Sequence, residues 1–288
     1  MGMDVFEELT GQEGAKRILN AGLTSGALPQ ALVFAGPDGV GRRTAAKMLA
    51  MALHDNDQNG YLADTFWFGI NYADKVARKV SGAIKETADD MVHFLQLSPL
   101  ISKRKVAIIE DAEGLSDEAQ NALLKTLEEP RADSVIILIV EDEHSLLPTI
   151  LSRVQVVKFV LLTDAQIREI VGERVTEEIV ALAHGSAGTA VELFENFELL
   201  EETRKITEFW QGVAAMDVEA KFAWSEKMKE REVATRFLKT GLRVMWRQML
   251  EAGNVGQVQR AEAVGNALVR VGENANVRMA LDSLMLVL

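Results

Sequence analysis

The sequence predicts an α/β P-loop module with a mostly parallel sheet, followed by helical domains. Three observations carry this. The glycine loop Gly36-Pro37-Asp38-Gly39-Val40-Gly41 stands between a short apolar run and a segment of helical periodicity. Further apolar runs at Val106–Ile109, Ser134–Val140 and Val154–Val160 alternate with helical stretches, the pattern of a parallel sheet covered on both faces. Beyond about residue 162 strand signals stop and helical periodicity remains.

The elements follow in order. Ala31-Leu32-Val33-Phe34-Ala35 is the first strand, led in by Leu28-Pro29-Gln30, and the glycine loop passes into a helix over Arg43–Leu53. Asp55–Gly60 has the composition of a loop. The aromatic triplet Phe66, Trp67 and Phe68 is expected in the core or at a buried strand end. Val80–Leu95 has amphipathic helical spacing. Val106-Ala107-Ile108-Ile109 reads as a buried strand ending in Glu110-Asp111. Ser116 caps the next helix, with Asp117 and Glu118 in its first turn, where the helix dipole favours acids. Pro130 stops that helix. Thr163-Asp164-Ala165-Gln166 has the spacing of a capping box. Gly185-Ser186-Ala187-Gly188 separates two helical segments. From about Lys205 every signal is helical, and Trp210, Trp224 and Trp246 are expected in that core. The expected domains are 1–162 (α/β), 163–207 (small and helical) and 208–288 (helical).

Composition bounds the function. The 288 residues are 48% hydrophobic and 26% charged, the balance of a soluble globular protein with a sizeable core. A net charge of −12 argues against a chain that coats nucleic acid by bulk electrostatics, and leaves room for a local basic patch. No cysteine is present, which excludes disulfides and cysteine-ligated zinc. Met1–Glu8 is acidic with no apolar signal region, and no stretch approaches the roughly 20 apolar residues of a membrane span. A cytoplasmic protein with no membrane partner is expected.

A P-loop reads G-x-x-x-x-G-K-[ST]. Its glycines let backbone N–H groups surround phosphates, its lysine reaches the outer phosphates, and its hydroxyl ligates Mg²⁺. Gly36, Gly39 and Gly41 keep the frame, but the lysine position holds Arg42 and the hydroxyl position Arg43; Thr44 comes one residue late. Arginine does not replace a compact ammonium in a tight loop, and Arg43 cannot ligate Mg²⁺. Glu110-Asp111 at a strand end has the form of a Walker B acid pair in reversed order. Separately, these features also fit a glycine-rich turn and a solvated acidic turn. Together they read as an altered nucleotide site.

The string Ala119-Gln120-Asn121-Ala122-Leu123-Leu124-Lys125-Thr126-Leu127-Glu128-Glu129-Pro130 resembles the segment after Walker B in the clamp-loader ATPase family of bacterial DNA polymerase III, an AAA+ family. Leu147-Pro148-Thr149-Ile150-Leu151-Ser152-Arg153 resembles the family's segment ending in Ser-Arg-Cys, with Val154 at the cysteine position. Phe6–Gln12 and Pro29–Gly41 are similar to its opening segments, though Gln30 stands where a histidine is common. Asn276–Leu288 resembles the end of its C-terminal collar helices. The likeness spans nearly the whole chain; residues 55–75 and about 205–270 match only in character.

The resemblance implies an AAA+ module, a helical lid and an all-α collar that packs against sister subunits. It implies that Arg153, with Ser152, is an arginine finger serving a neighbouring subunit's ATP site, where such a group adds roughly 10³ to 10⁵ in rate. It puts the sensor 1 position near Val140-Glu141, where an acid would repel a γ-phosphate, and the sensor 2 arginine at Thr189. The family's zinc module is lost here, and Asp55–Gly60 marks its place. A site altered at so many points beside an intact finger implies a non-catalytic, stator-like subunit. No cofactor is then required, and ATP or ADP is not expected at its own loop. The implied partners are motor subunits of gamma/tau type, a delta-type subunit, the sliding clamp, and primed DNA within the assembled complex. Arg78, Lys79, Lys85, Lys103, Arg104 and Lys105 are candidates for a basic surface facing that DNA. Two other readings stay open: a weak ATPase working through Arg42 and Thr44, and a nucleotide sensor that holds ADP without hydrolysis.

Overall fold

The computed structural model describes residues 5–68, 81–252, 256–272 and 275–288. The chain divides into two units, Met1–Ile170 with Ser186–Gly188, and Val171–Gly185 with Thr189–Leu288.

The first unit is built on a five-stranded sheet of β1 (Ala31–Ala35), β2 (Thr65–Phe68), β3 (Lys105–Ile109), β4 (Ser134–Val140) and β5 (Gln155–Lys158). Their order is β2-β3-β4-β1-β5 and every pairing is parallel. β1, β3 and β4 are buried along their whole length, as parallel strands covered on both faces should be. Successive strand residues point to opposite faces. Leu32, Phe34, Val106, Ile108, Val135 and Ile137 therefore join one core with Leu19 and Leu49. Val33, Ala107, Ile109, Ile136 and Leu138 join the other with Met91, Leu123 and Ile150. Fully burying each large side chain contributes about 1.5–3 kcal/mol.

The helices of this unit are α1 (Glu13–Ser25), α2 (Arg42–Leu53), α3 (Gln58–Asp64), α4 (Ser81–Gln96), α5 (Asp117–Glu128), α6 (Pro148–Leu151) and α7 (Asp164–Val171), which runs to the unit's edge. The expected caps form. Ala119 N–H donates to Ser116 Oγ at 3.3 Å. Thr163 N–H donates to Gln166 Oε1 and Gln166 N–H to Thr163 Oγ1, at 2.9 and 3.3 Å.

Three expectations are corrected here. Asp55–Gly60 is not a simple loop: after a turn in which Asp55 and Asn56 have φ of 53° and 59°, α3 begins at Gln58. Phe66, Trp67 and Phe68 form β2, half-buried rather than core, because β2 ends the described sheet and pairs only with β3. Lys105 is 3% exposed, so it offers no charge to a partner. Its Nζ sits 3.7 Å from the centroid of the Phe94 ring and 4.0 Å from Asp64 Oδ1. Of the other basic candidates, Lys103 is exposed and pairs with Asp55 at 3.3 Å, and Arg104 is half-buried. Arg78, Lys79 and the side chain of Lys85 lie outside the described residues.

Asp64 organises the corner between α3, β2 and β3. Its fully buried carboxylate accepts from the N–H groups of Leu100, Ile101 and Ser102 at 2.7–2.8 Å and from Ser102 Oγ at 2.9 Å. Burial alone would raise that carboxyl, but these donors outweigh it and hold it down at about 2. The His54 ring bridges Ser102 Oγ and Thr65 Oγ1 at 2.8 and 2.9 Å.

The second unit is helical: α8 (Glu177–Leu182), α9 (Ala187–Glu195, its first two residues counted with the first unit), α10 (Phe197–Gly212), α11 (Val218–Ser225), α12 (Arg231–Ala252), α13 (Gly256–Gly272) and α14 (Val277–Met285). Its core gathers Ile206, Phe209, Trp210, Phe237, Leu238, Val264, Leu281 and Leu284. Phe209, Trp210, Trp224 and Phe237 form an aromatic cluster, and the Trp210 indole N–H donates to Phe237 O at 2.8 Å. Trp210 is thus core and Trp224 packs partly buried against it, but Trp246 is 55% exposed, against expectation. The reason is helical phase: Phe237, Leu238, Val244 and Met245 define the buried face of α12, and one step of about 100° carries residue 246 off it.

Candidate functional site

The glycine loop leaves the carboxyl end of β1 and delivers the chain to the start of α2, the end of an open α/β sheet where ligands collect. Gly36, Gly39 and Gly41 have φ of 151°, 71° and 103°, a backbone that needs glycine. The three glycines thus set the turn between β1 and α2. The side chains around it make contacts that the sequence does not disclose.

Asp38 turns back onto the loop. Its Oδ1 accepts from Gly39 N–H at 2.9 Å and from Arg42 Nη2 at 3.3 Å. Arg42, at the lysine position, is 6% exposed and committed to that pair. Arg43, at the hydroxyl position, reaches the end of β3, where its Nε lies 2.9 Å from Glu110 Oε1. The same oxygen accepts from the indole N–H of Trp67 at 2.9 Å, and the Arg43 guanidinium lies over the Trp67 ring, 5.7 Å from its centroid. Burial pushes the Glu110 carboxyl up, while Arg43 and Trp67 pull it down.

Ser186–Gly188 packs on the loop. Gly188 N–H donates to Gly39 O at 3.0 Å, and a Cβ on Gly39 would lie 2.2 Å from Ser186 Oγ. Gln12 ties the far side. Its Nε2 donates to Val40 O at 3.2 Å and to Val160 O at 2.7 Å, and its Oε1 accepts from Val160 N–H at 2.9 Å.

Several acids follow β3 and β4. Glu141, just past β4, donates its N–H to Glu113 Oε1 at 3.4 Å. Burial first, then Asp111 and Glu141, push the Glu113 carboxyl up, and its Oε2 is buried without a hydrogen-bond partner. A cavity of about 240 Å³ beside Gly36 is lined by Glu141, Asp142 and Glu143, with Lys158 paired to Glu143 at 2.8 Å. Asp111 follows Glu110 with φ of 50°, so the chain turns out of β3 at this acid pair. Thr44 lies in the first turn of α2 and is exposed. Thr189 belongs to the second unit, where its Oγ1 accepts from Arg243 Nη1 at 3.2 Å.

Ser152 and Arg153 stand apart from the loop, after α6. Arg153 Nη1 donates to Thr149 O and Ser152 Oγ, both at 2.8 Å, and Nη2 lies 2.7 Å from Glu128 Oε1 at the end of α5. The Arg153 side chain is one-third exposed. Sequence reading found the glycines, both arginines and the acid pair. It missed Gln12, Trp67, Ser186 and Gly188, whose parts depend on contacts between distant segments. Among the described residues no cluster of His, Asp and Glu is arranged to hold a metal ion, and no helix is long and apolar enough to cross a membrane.

A family model described as DNA polymerase III, delta subunit matches residues 11–163, just over half of the chain. The DNA polymerase III subunit gamma/tau of Mycoplasma pneumoniae is 27% identical over 224 residues, 70% of this chain and 32% of that protein. The DNA polymerase III subunit delta' of Pseudomonas aeruginosa is 47% identical over 64 residues, 22% of this chain and 20% of that one. This chain therefore spans well under two thirds of either relative. A solved DNA polymerase III gamma subunit-related protein from Thermotoga maritima superposes with a TM-score of 0.50 at 18% identity, covering 93% of this chain and 97% of that one, a likeness of fold.

Proposed function

The chain belongs to the DNA polymerase III delta-subunit family, among the AAA+ clamp-loader proteins, and from that premise we propose that it is a delta'-type, stator-like subunit. It completes a ring with motor and delta-type subunits, supports ATP-dependent loading of the sliding clamp on primed DNA in the cytoplasm, and lends Arg153 to a neighbour's ATP site. Residues 163–207 serve as its lid and 208–288 as its collar.

The observation that carries this reading is the ion pair between Arg43 and Glu110. In a working P-loop those two positions ligate Mg²⁺, directly or through water. Here one supplies a cation and the other is its counter-ion. The residues present do not fit a magnesium nucleotide. Arg42 is turned to Asp38, Gly39 N–H is taken by Asp38 Oδ1, and Glu141 stands beside Gly36, an acid where phosphates would approach. Arg153, by contrast, keeps a guanidinium at the surface.

The test uses the purified chain and a reconstituted complex with gamma/tau-type and delta-type subunits. The chain alone is expected to turn over no ATP, and the complex to hydrolyse it with clamp and primed DNA. Arg153→Ala is expected to lower that rate by about 10³ or more at the site it serves. Turnover by the isolated chain that disappears in Arg42→Ala would overturn the reading, and tight ADP binding in calorimetry would favour a nucleotide sensor.

A further inference from the structure

Glu128 is the last residue of α5. A carboxylate there faces the negative end of the helix dipole, so it does not stabilise its own helix. Its Oε1 instead meets Arg153 Nη2 at 2.7 Å, across a half-exposed contact between the end of α5 and the turn after α6. The opposite side of the guanidinium is fixed: Nη1 donates to Thr149 O and Ser152 Oγ, and Ser152 Oγ donates to Thr149 O at 3.0 Å. One edge of Arg153 is thus anchored to its own turn, and the other is taken by an anion.

That second edge is the one a phosphate would need. Guanidinium binds carboxylate and phosphate oxygens with the same planar fork, so the two compete for the same N–H groups. The pair is solvent-exposed, hence weak and exchangeable. We propose that Glu128 is a positioning residue for Arg153. In the free chain its carboxylate holds the guanidinium against α6 as a stand-in anion. When a neighbouring subunit docks, the neighbour's phosphate replaces it. This rests on the finger reading above and adds a cost to finger engagement that is set within this chain.

The experiment measures steady-state ATPase of the reconstituted complex, with clamp and primed DNA at saturating ATP, for wild type, Glu128→Gln, Arg153→Ala and the double variant. Glu128→Gln is expected to raise kcat about two- to five-fold, the range of an exposed ion pair released. It is expected to have no effect in the Arg153→Ala background. Thermal melting of the free Glu128→Gln chain should match wild type, since a general structural role would move it. A wild-type rate for Glu128→Gln, or the same rise with and without Arg153, overturns the proposal while leaving the finger intact. A wild-type rate for Arg153→Ala removes the finger reading itself, and this proposal with it.

Discussion

Arg43 Nε and Glu110 Oε1 stand 2.9 Å apart, joining the first turn of α2 to the end of β3. The Glu110 side chain is only 10% exposed, so it depends on this partner and on the Trp67 indole. Arg43→Ala should therefore leave a poorly solvated charge behind. With Arg43 itself half exposed, the expected cost is about 1–2 kcal/mol, below that of a fully buried pair. Adding Glu110→Gln should recover most of it, because the orphaned charge is gone. Urea denaturation of the three variants checks this; equal midpoints for wild type and Arg43→Ala would show that the pair carries no structural weight.

Gln12 makes a second cross-brace at the same loop. It is 4% exposed, and its amide serves the Val40 carbonyl and both backbone groups of Val160. Truncation strands those groups away from water. Gln12→Ala is expected to cost about 2–3 kcal/mol. Gln12→Glu should fare no better at neutral pH, since a carboxylate would face two carbonyl oxygens where an NH₂ now donates. Thermal melting decides; a Gln12→Glu variant as stable as wild type would contradict the bonding pattern.

Only part of this loop and its braces is legible in the sequence. Strand and helix periods, the three glycines and the Ser116 and Thr163–Gln166 caps are local patterns, and local patterns survive in sequence. Gln12 and Val160 are 148 residues apart, and Ser186 reaches Gly39 from across the chain. Spacing carries no trace of such contacts. The acid pair was legible as composition, but its partner was not: Arg43 reads as a lost hydroxyl and becomes a counter-ion only once α2 and β3 are side by side. Lys105 misled for a related reason. It belongs to a basic triplet, yet it opens β3, a strand covered on both faces, and its charge is met inside by Asp64 and Phe94.

The tryptophans of the second unit separate burial from residue type. Trp210 is 1% exposed and hydrogen-bonded, and Trp210→Ala should cost about 3–5 kcal/mol. Trp246→Ala should stay within about 0.5 kcal/mol in the free chain. Gly241 tests the same packing from the other side. A Cβ there would lie 2.4 Å from the Trp210 ring, so Gly241→Ala, normally favourable in a helix, should instead cost about 1–3 kcal/mol. Equilibrium denaturation orders the three, and a stabilised Gly241→Ala variant would mean that the ring sits elsewhere.

Acid should weaken the Asp64 corner in two separate steps. Burial lowers the His54 pKa from 6.5, partly opposed by Asp64, so the neutral ring is favoured in the folded chain. The stability it contributes is present above 6.5 and is lost as pH falls through the lowered value. Asp64 is held at about 2 against an ordinary 3.8, so its contribution is present above 3.8 and is lost as pH falls toward 2. That difference corresponds to on the order of 2 kcal/mol. Asp64→Asn removes the lower step, because an amide does not titrate and one of its ends cannot accept from the Leu100–Ser102 N–H groups. The gap in unfolding free energy between wild type and Asp64→Asn should therefore widen as pH falls through the His54 range, because the variant lacks the charge that opposes the His54 shift, and shrink below about 4. Urea denaturation across that range measures the gap, and one that does not shrink as pH falls toward 2 would show that the three backbone donors do not stabilise the ionised carboxylate.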